Sequence, residues 1–298
     1  MNNKRKIIIL ITIIAICILS GIMYIVYNNV IDKEIKIVDT EGKEVCFDEV
    51  PDRIISLIPS ATENLYSMGA LDSVIAVDEF SNYPESVSSK EKLKTSTNLN
   101  IEHIISLNPD LVVMSKMGQT VEQYNQLVNA GIKVVILDAT SINDIYKTFD
   151  ILGKILDKEK EAKNIIKDMK ADIEDLKVIN KSDKSVYIEI SPLEWGLWTS
   201  GSGTFENEIL ELLGVKNTFN DVKSWVEVSE EQVVNRNPDY IISTYYMDNT
   251  NEIMSRSNWQ NISAVKNKDV FMVNPDLLNR PTLRILEGIK LLKDKIYE

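Results

Sequence analysis

Short apolar runs alternate with stretches of helical period along most of the chain. "RIISL" (53–57), "SVIAV" (73–77), "LVVM" (111–114), "KVVIL" (133–137), "SVYIEI" (185–190), "YIIST" (240–244) and "VFMV" (270–273) are rich in Ile and Val. Their lack of polar alternation is the pattern of strands covered on both faces. Helical periods such as Ala61 to Met68 and Thr120 to Ala130 lie between them. Strand then helix, repeated, predicts parallel sheets with helices packed on either side. Ahead of this rhythm, "IKIVDTEGKEVCF" (35–47) reads as a β-hairpin turning at Thr40-Glu41-Gly42.

One segment breaks the alternation. From Lys158 to about Val178 there is no strand-like run, and Ala162, Ile165, Ile166, Met169, Ile173 and Leu176 recur at helical spacing. A helix of roughly 21 residues would be about 30 Å long. The polar run "NKSDKS" (180–185) closes it. The predicted fold is therefore α/β: two Rossmann-like lobes joined by a single long α-helix. The lobes are assigned to 32–142 and 181–298, with 143–180 as the connecting helix region.

The two halves also repeat. "IEHIISLNPDLVVMS" (101–115) aligns with "EEQVVNRNPDYIIST" (230–244), placing Asn108-Pro109-Asp110 on Asn237-Pro238-Asp239. In each copy a helix should end before the proline, which disfavours helical geometry in the residue ahead of it. Glu102 falls on Glu231, whereas His103 falls on Gln232. The shared residue is the glutamate, not the imidazole.

Residues 1–31 read differently. Lys4, Arg5 and Lys6 precede an uncharged, mostly apolar run from Ile7 to Asn29. A basic flank before an apolar segment is an export signal, and roughly 20 apolar residues suffice to cross a bilayer core. No A-x-A cleavage site follows, and Ile16 precedes Cys17 where a lipoprotein signal wants a small residue. The expectation is an uncleaved signal-anchor, with lipidation at Cys17 or cleavage near Gly21 as alternatives. The positive N-terminus places the rest of the chain outside the cytoplasm. Only Cys46 then remains in the exported part, so no intramolecular disulfide can form there.

Composition narrows the chemistry. The 298 residues are 44% hydrophobic and carry a net charge of −12. That charge leaves no basic stripe to neutralise phosphates and excludes nucleic acid as a partner. His103 is the only histidine, so a zinc or manganese site would have to be built almost wholly of carboxylates. No G-x-S-x-G nucleophile motif is present, and "GSGTFENE" (201–208) lacks the Gly-Lys-Ser/Thr ending of a phosphate-binding loop. Ser60 and Glu63 have capping-box spacing, at the carboxyl end of a strand where open α/β sheets bind ligands. Aromatic residues mark other predicted strand ends: Phe80 and Tyr83, Trp195 and Trp198, and Trp225. Such residues build pockets for flat or bulky ligands. Asp276 and Arg280 in "NPDLLNRPTLR" (274–284) are either ligand contacts or a cap and surface pair.

"PDRIISLIPSATENLYSMGA" (51–70), "NLNIEHIISLNPDLVVMS" (98–115), "GIKVVILDATSINDI" (131–145) and "SWVEVSEEQVVNRNPDYII" (224–242) occur in one order. Together they resemble the substrate-binding proteins of ABC importers for vitamin B12 and iron–siderophores. The match runs from about residue 35 to the C-terminus. The resemblance implies no enzymatic activity and no cofactor. It implies a monomer that holds a small-molecule ligand between its lobes with little hinge motion. It also implies that one surface glutamate per lobe, here Glu102 and Glu231, docks on arginines of the membrane permease. Ligand contacts carried over by motif are Phe80 or Tyr83, Trp198, Trp225, Asp276 and Arg280. Two family tryptophan positions are occupied by Asn98 and Ser115. The expected ligand is a corrinoid, cobalamin, with an iron–siderophore or haem as the alternative.

Overall fold

The computed structural model describes residues 14–21, 34–96 and 99–297. Most of the segment expected to be a signal-anchor, and Asn98, lie outside them. Residues 14–21 are helical and exposed, and no helix among the described residues is long and apolar enough to cross a membrane.

The hairpin forms as the sequence predicts. Strands β1 (Ile35–Val38) and β2 (Glu44–Phe47) pair antiparallel, with Ile35 opposite Phe47. Asp39 fixes the turn: its Oδ1 accepts from the Glu41 and Lys43 amides at 2.9 Å each. Gly42 supplies the positive φ of 79° that the turn requires.

Strands β3 (Ile54–Ser56), β4 (Val74–Asp78), β5 (Glu91–Leu93), β6 (Leu111–Met114) and β7 (Lys133–Ile136) form a parallel sheet in the order β5-β4-β3-β6-β7. A second parallel sheet uses β8 (Ser185–Glu189), β10 (Lys216–Asn217), β12 (Tyr240–Ser243) and β13 (Val270–Met272), ordered β10-β8-β12-β13. Between them in sequence, β9 (Leu197–Ser200) and β11 (Trp225–Val228) make an antiparallel ribbon beside the second sheet. The strand-like runs named above all coincide with strands. Those at the sheet centres are buried along their length, as continuous apolar runs demand.

The Asn-Pro-Asp repeat is a structural device used twice. Asn108 and Asn237 both adopt left-handed geometry, with φ of 47° and 48°. Asparagine tolerates that conformation and ends each helix there. The aspartate two residues on then clamps the start of the neighbouring strand. Asp110 Oδ2 accepts from the Arg53 amide at 3.0 Å, and Asp239 Oδ2 accepts from the Ser185 amide at 2.8 Å.

The long connecting helix expected from Lys158 to about Val178 forms as Glu159–Leu176. A second helix, Ile142–Ile155, precedes it across a turn in which Asp157 takes a φ of 52°. The long helix has 18 residues, about 27 Å of rise. The two pack closely because residue 153 is glycine; a Cβ there would sit 2.6 Å from that of Ala162. Lys158 ties the turn to the first lobe, donating to the Met68 and Gly69 carbonyls at 2.9 and 2.7 Å. Those carbonyls lie at the C-terminal end of the helix Pro59–Ser67, where cations are favoured. One apolar cluster runs unbroken from Val74 and Leu111 in the first sheet, through Phe149, Leu152 and Met169, to Val186 and Ile242 in the second.

Candidate functional site

A cleft of about 550 Å³ lies between the lobes, within the usual range for a small-molecule site. Its first wall comprises Ile58, Pro59 and Ser60 after β3, Ser115 and Met117 after β6, and Leu137 to Ala139 after β7. The opposite wall comprises Ile190 and Ser191 after β8, Trp198, Phe205, Glu206, Trp225, Tyr246 after β12, and Asn279 to Pro281. The loops thus leave the carboxyl ends of parallel strands from both sheets, the usual ligand position in α/β folds.

Of the three tryptophans singled out in the sequence, Trp198 and Trp225 line it and Trp195 does not. Trp198 faces Glu227 across the ribbon, and Trp225 faces Ser200. Directly opposed residues share a face, so the two indoles are diagonal neighbours on one side of the ribbon. Trp225 also packs edge-on against Phe205, with ring centroids 6.0 Å apart. Ser115 lines the cleft too, its hydroxyl donating to Asp138.

The Asp276–Arg280 pair belongs to a buried ion cluster between the lobes. Arg280 lines the cleft, and its Nη1 donates to Glu63 Oε1 and Asn82 Oδ1, both at 2.7 Å. Its Nη2 donates to the Phe80 carbonyl at 3.2 Å and lies 2.8 Å from Asp276 Oδ1. Asn82 Nδ2 donates in turn to Asp276 Oδ2 at 2.9 Å. Asp276 is buried and does not line the cleft. Glu63 also accepts from Thr282 Oγ1 at 3.0 Å and Arg284 Nη1 at 3.2 Å.

The capping box expected from Ser60 and Glu63 is therefore not formed. The helix begins at Pro59, its N-cap is Ile58, and no side chain caps it. Glu63 is only 2% exposed and turns to the other lobe. A second tie crosses between the lobes where Glu208 Oε2 accepts from the Ile142 amide at 2.7 Å.

Phe80 and Tyr83 do not line the cleft. Phe80 is exposed and reaches Arg280 only through its carbonyl. Tyr83 stacks edge-on with Tyr66 and lies 4.2 Å beneath the Arg284 guanidinium.

Glu206 is the site residue that sequence reasoning missed. It occupies the first turn of the helix Phe205–Leu212, capped by Thr204, whose hydroxyl accepts from the Asn207 amide. The side chain lines the cleft yet is 2% exposed. Trp225 Nε1 donates to its Oε1 at 3.0 Å, and Oε2 has no hydrogen-bond partner among the described residues. Burial pushes its carboxyl up to about 7, against the opposing pull of the Trp225 bond. The available signal was an acidic residue opening a helix after a glycine-rich loop.

Glu102 and Glu231 occupy matching places. Each is exposed in the first turn of a short helix, Ile101–Ser106 or Glu230–Arg236. Asn100 and Ser229 cap those helices, accepting from the amides of His103 and Gln232 at 3.0 and 3.2 Å. His103 and Gln232 are thus equivalent by position in a capped turn. The imidazole Nε2 lies 2.6 Å from Glu91 Oε1 on the surface, away from the cleft lining.

Comparison with known proteins agrees with this arrangement. The family model "Periplasmic binding protein" matches residues 54–277. An uncharacterized ABC transporter substrate-binding lipoprotein of Bacillus subtilis, YvrC, is 37% identical over 267 residues, covering 87% of this chain and 84% of its own. The periplasmic vitamin B12 binding protein BtuF of Vibrio cholerae superposes with a TM-score of 0.73 at 27% identity, covering 83% of this chain and 97% of its own. A possible iron-binding periplasmic solute-binding protein of Staphylococcus epidermidis gives 0.74 at 36% identity, covering 84% and 100%. With two α/β lobes, a cleft between them and these relatives, the chain belongs to the periplasmic binding protein family, as a substrate-binding protein of an ABC transporter and not an enzyme.

Proposed function

We propose that the chain binds a corrinoid, cobalamin, in the interlobe cleft and delivers it to the permease of an ABC importer. It works outside the cytoplasm, as a monomer held at the membrane by residues 1–31. The observation that carries the ligand class is the cleft wall: Trp198, Trp225 and Phe205 offer a broad apolar surface with few polar groups. Such a wall suits a large macrocycle whose faces are apolar and whose periphery is polar. The likeness to a vitamin B12 binding protein supports the same choice. Trp198, Trp225 and Arg280 touch the ligand in this reading. Asp276 holds Arg280 in place, and Phe80 and Tyr83 stand outside the first contact.

Glu102 and Glu231 dock the permease. Two exposed carboxylates on capped helices of lobes joined by a common core present a fixed spacing to a two-subunit partner. Charges used this way govern orientation and association rate more than affinity.

An iron complex is the second reading, favoured by the likeness to a possible iron-binding protein. Titration calorimetry with cyanocobalamin, haem and a ferric siderophore separates the two. Binding of cyanocobalamin at least tenfold tighter than the others is the expected result. Preference for either iron complex would replace the corrinoid with that ligand.

A further inference from the structure

Two polar oxygens left without partners line the cleft, and both are acceptors when the Glu206 carboxyl is ionised. Glu206 Oε2 is one. The other is Asn279 Oδ1, whose amide orientation is fixed because Nδ2 donates to the Thr244 carbonyl at 3.3 Å. An amide flipped the other way would set two acceptors against each other. Unpartnered buried polar atoms cost free energy, so a ligand that fills both vacancies gains by it. Such a ligand must bring N–H or O–H donors.

We propose that Glu206 and Asn279 act together as an acceptor pair that recognises neutral amide N–H groups on the ligand and rejects ligands presenting carboxylates there. This deepens the corrinoid reading and rests on it. A corrin ring is edged with primary amides, each an N–H donor. Haem carries two propionates, which supply acceptors only and bring negative charge towards Glu206. The one cation lining the cleft among the described residues, Arg280, is already engaged by Glu63, Asp276 and Asn82. It has little left to offer an incoming anion.

The position of Glu206 makes this selectivity depend on pH. With its carboxyl pushed up to about 7 by burial, the group is mostly neutral at pH 6 and mostly ionised at pH 8. Asp138, Tyr246 and Arg280 are the other ionisable side chains lining the cleft. On the same helix, Glu208 accepts from the Ile142 amide and Glu211 from Asn207. Glu206→Gln keeps all of these, so a difference between the two proteins isolates the one carboxyl.

The test is calorimetric titration of the full chain with cyanocobalamin and with haem at pH 6 and pH 8. Glu206→Gln, Glu206→Ala and Asn279→Ala are compared with the unaltered protein, each first checked for cooperative unfolding. At pH 8, where Glu206 is mostly ionised, Glu206→Ala and Asn279→Ala should each weaken cyanocobalamin about tenfold, the worth of one lost hydrogen bond. Haem should bind the unaltered protein about tenfold more weakly at pH 8 than at pH 6. Glu206→Gln should abolish that pH dependence and raise haem affinity at pH 8.

Tight cyanocobalamin binding unmoved by all three substitutions would overturn the acceptor pair and leave the corrinoid reading standing. Absent cyanocobalamin binding overturns the corrinoid reading. The pair is then upheld if haem affinity rises with Glu206→Gln, and overturned if it does not. A cleft that takes neither probe overturns both.

Discussion

Glu206 should cost the ligand-free protein stability as pH rises. Glu206 carries an ordinary value of 4.5 when unfolded and about 7 when folded. Below pH 4 both states are protonated there, and the group contributes nothing. As pH climbs past 4.5 the unfolded chain releases the proton while the folded one retains it, so unfolding becomes progressively easier. The loss levels off above about pH 7, where the folded state ionises as well. A gap of some 2.5 units corresponds to about 3 kcal/mol. Glu206→Gln preserves the shape and the acceptor for Trp225 but cannot ionise. Urea unfolding of both proteins at several pH values from 4 to 8.5 reads the difference directly. The stability gap should widen in favour of the Glu206→Gln protein by about 3 kcal/mol, most of it between pH 4.5 and 7. Asp78, Glu189 and Glu208 are also raised by burial, but they are common to both proteins and cancel. A gap that stays constant across the range would refute the assignment of a buried, unpaired carboxyl at this position.

The interlobe ion cluster and the docking surface make separate predictions. Glu63→Ala removes the acceptor shared by Arg280, Thr282 and Arg284 and should cost about 3–5 kcal/mol, as breaking a buried pair does. A change under about 1 kcal/mol in the urea midpoint analysis would show that Asp276 and Asn82 alone satisfy Arg280. Glu102→Arg combined with Glu231→Arg should abolish ligand uptake by cells while ligand affinity stays within about twofold, since both residues are exposed rim charges remote from the cleft lining. Unimpaired uptake would remove both glutamates from the docking role.

Much of the architecture was legible because buried parallel strands read as unbroken apolar runs, and every run of that kind became a strand. The matched glutamates were legible for another reason. Repetition of Asn-Pro-Asp aligned the two halves, and the alignment pointed to Glu102 and Glu231 instead of His103. The long connecting helix was legible from its period, the stretch from Lys158 becoming Glu159–Leu176, although the turn ahead of it is made by Asp157 with a positive φ and not by a glycine or proline. Glu63 was misleading because its spacing from Ser60 is that of a cap, while its real partners lie 217 to 221 residues away. Glu206 was hidden for the same cause: its hydrogen-bond donor, Trp225, lies on a strand formed after the helix. Short-range spacing encodes the strands; which carboxylate caps a helix and which ends up desolvated is decided by tertiary contact.

The cluster around Glu63 has a kinetic meaning. With both arginines tied across the lobes and the apolar core continuous beneath them, the walls of the cleft stand in position before any ligand arrives. Capture then requires no slow closing step, and arrival is governed by diffusion and orientation alone. The observed association rate should grow in proportion to ligand concentration without reaching a plateau. Competing ligands will differ chiefly in how long they stay, so the receptor sorts them by residence time.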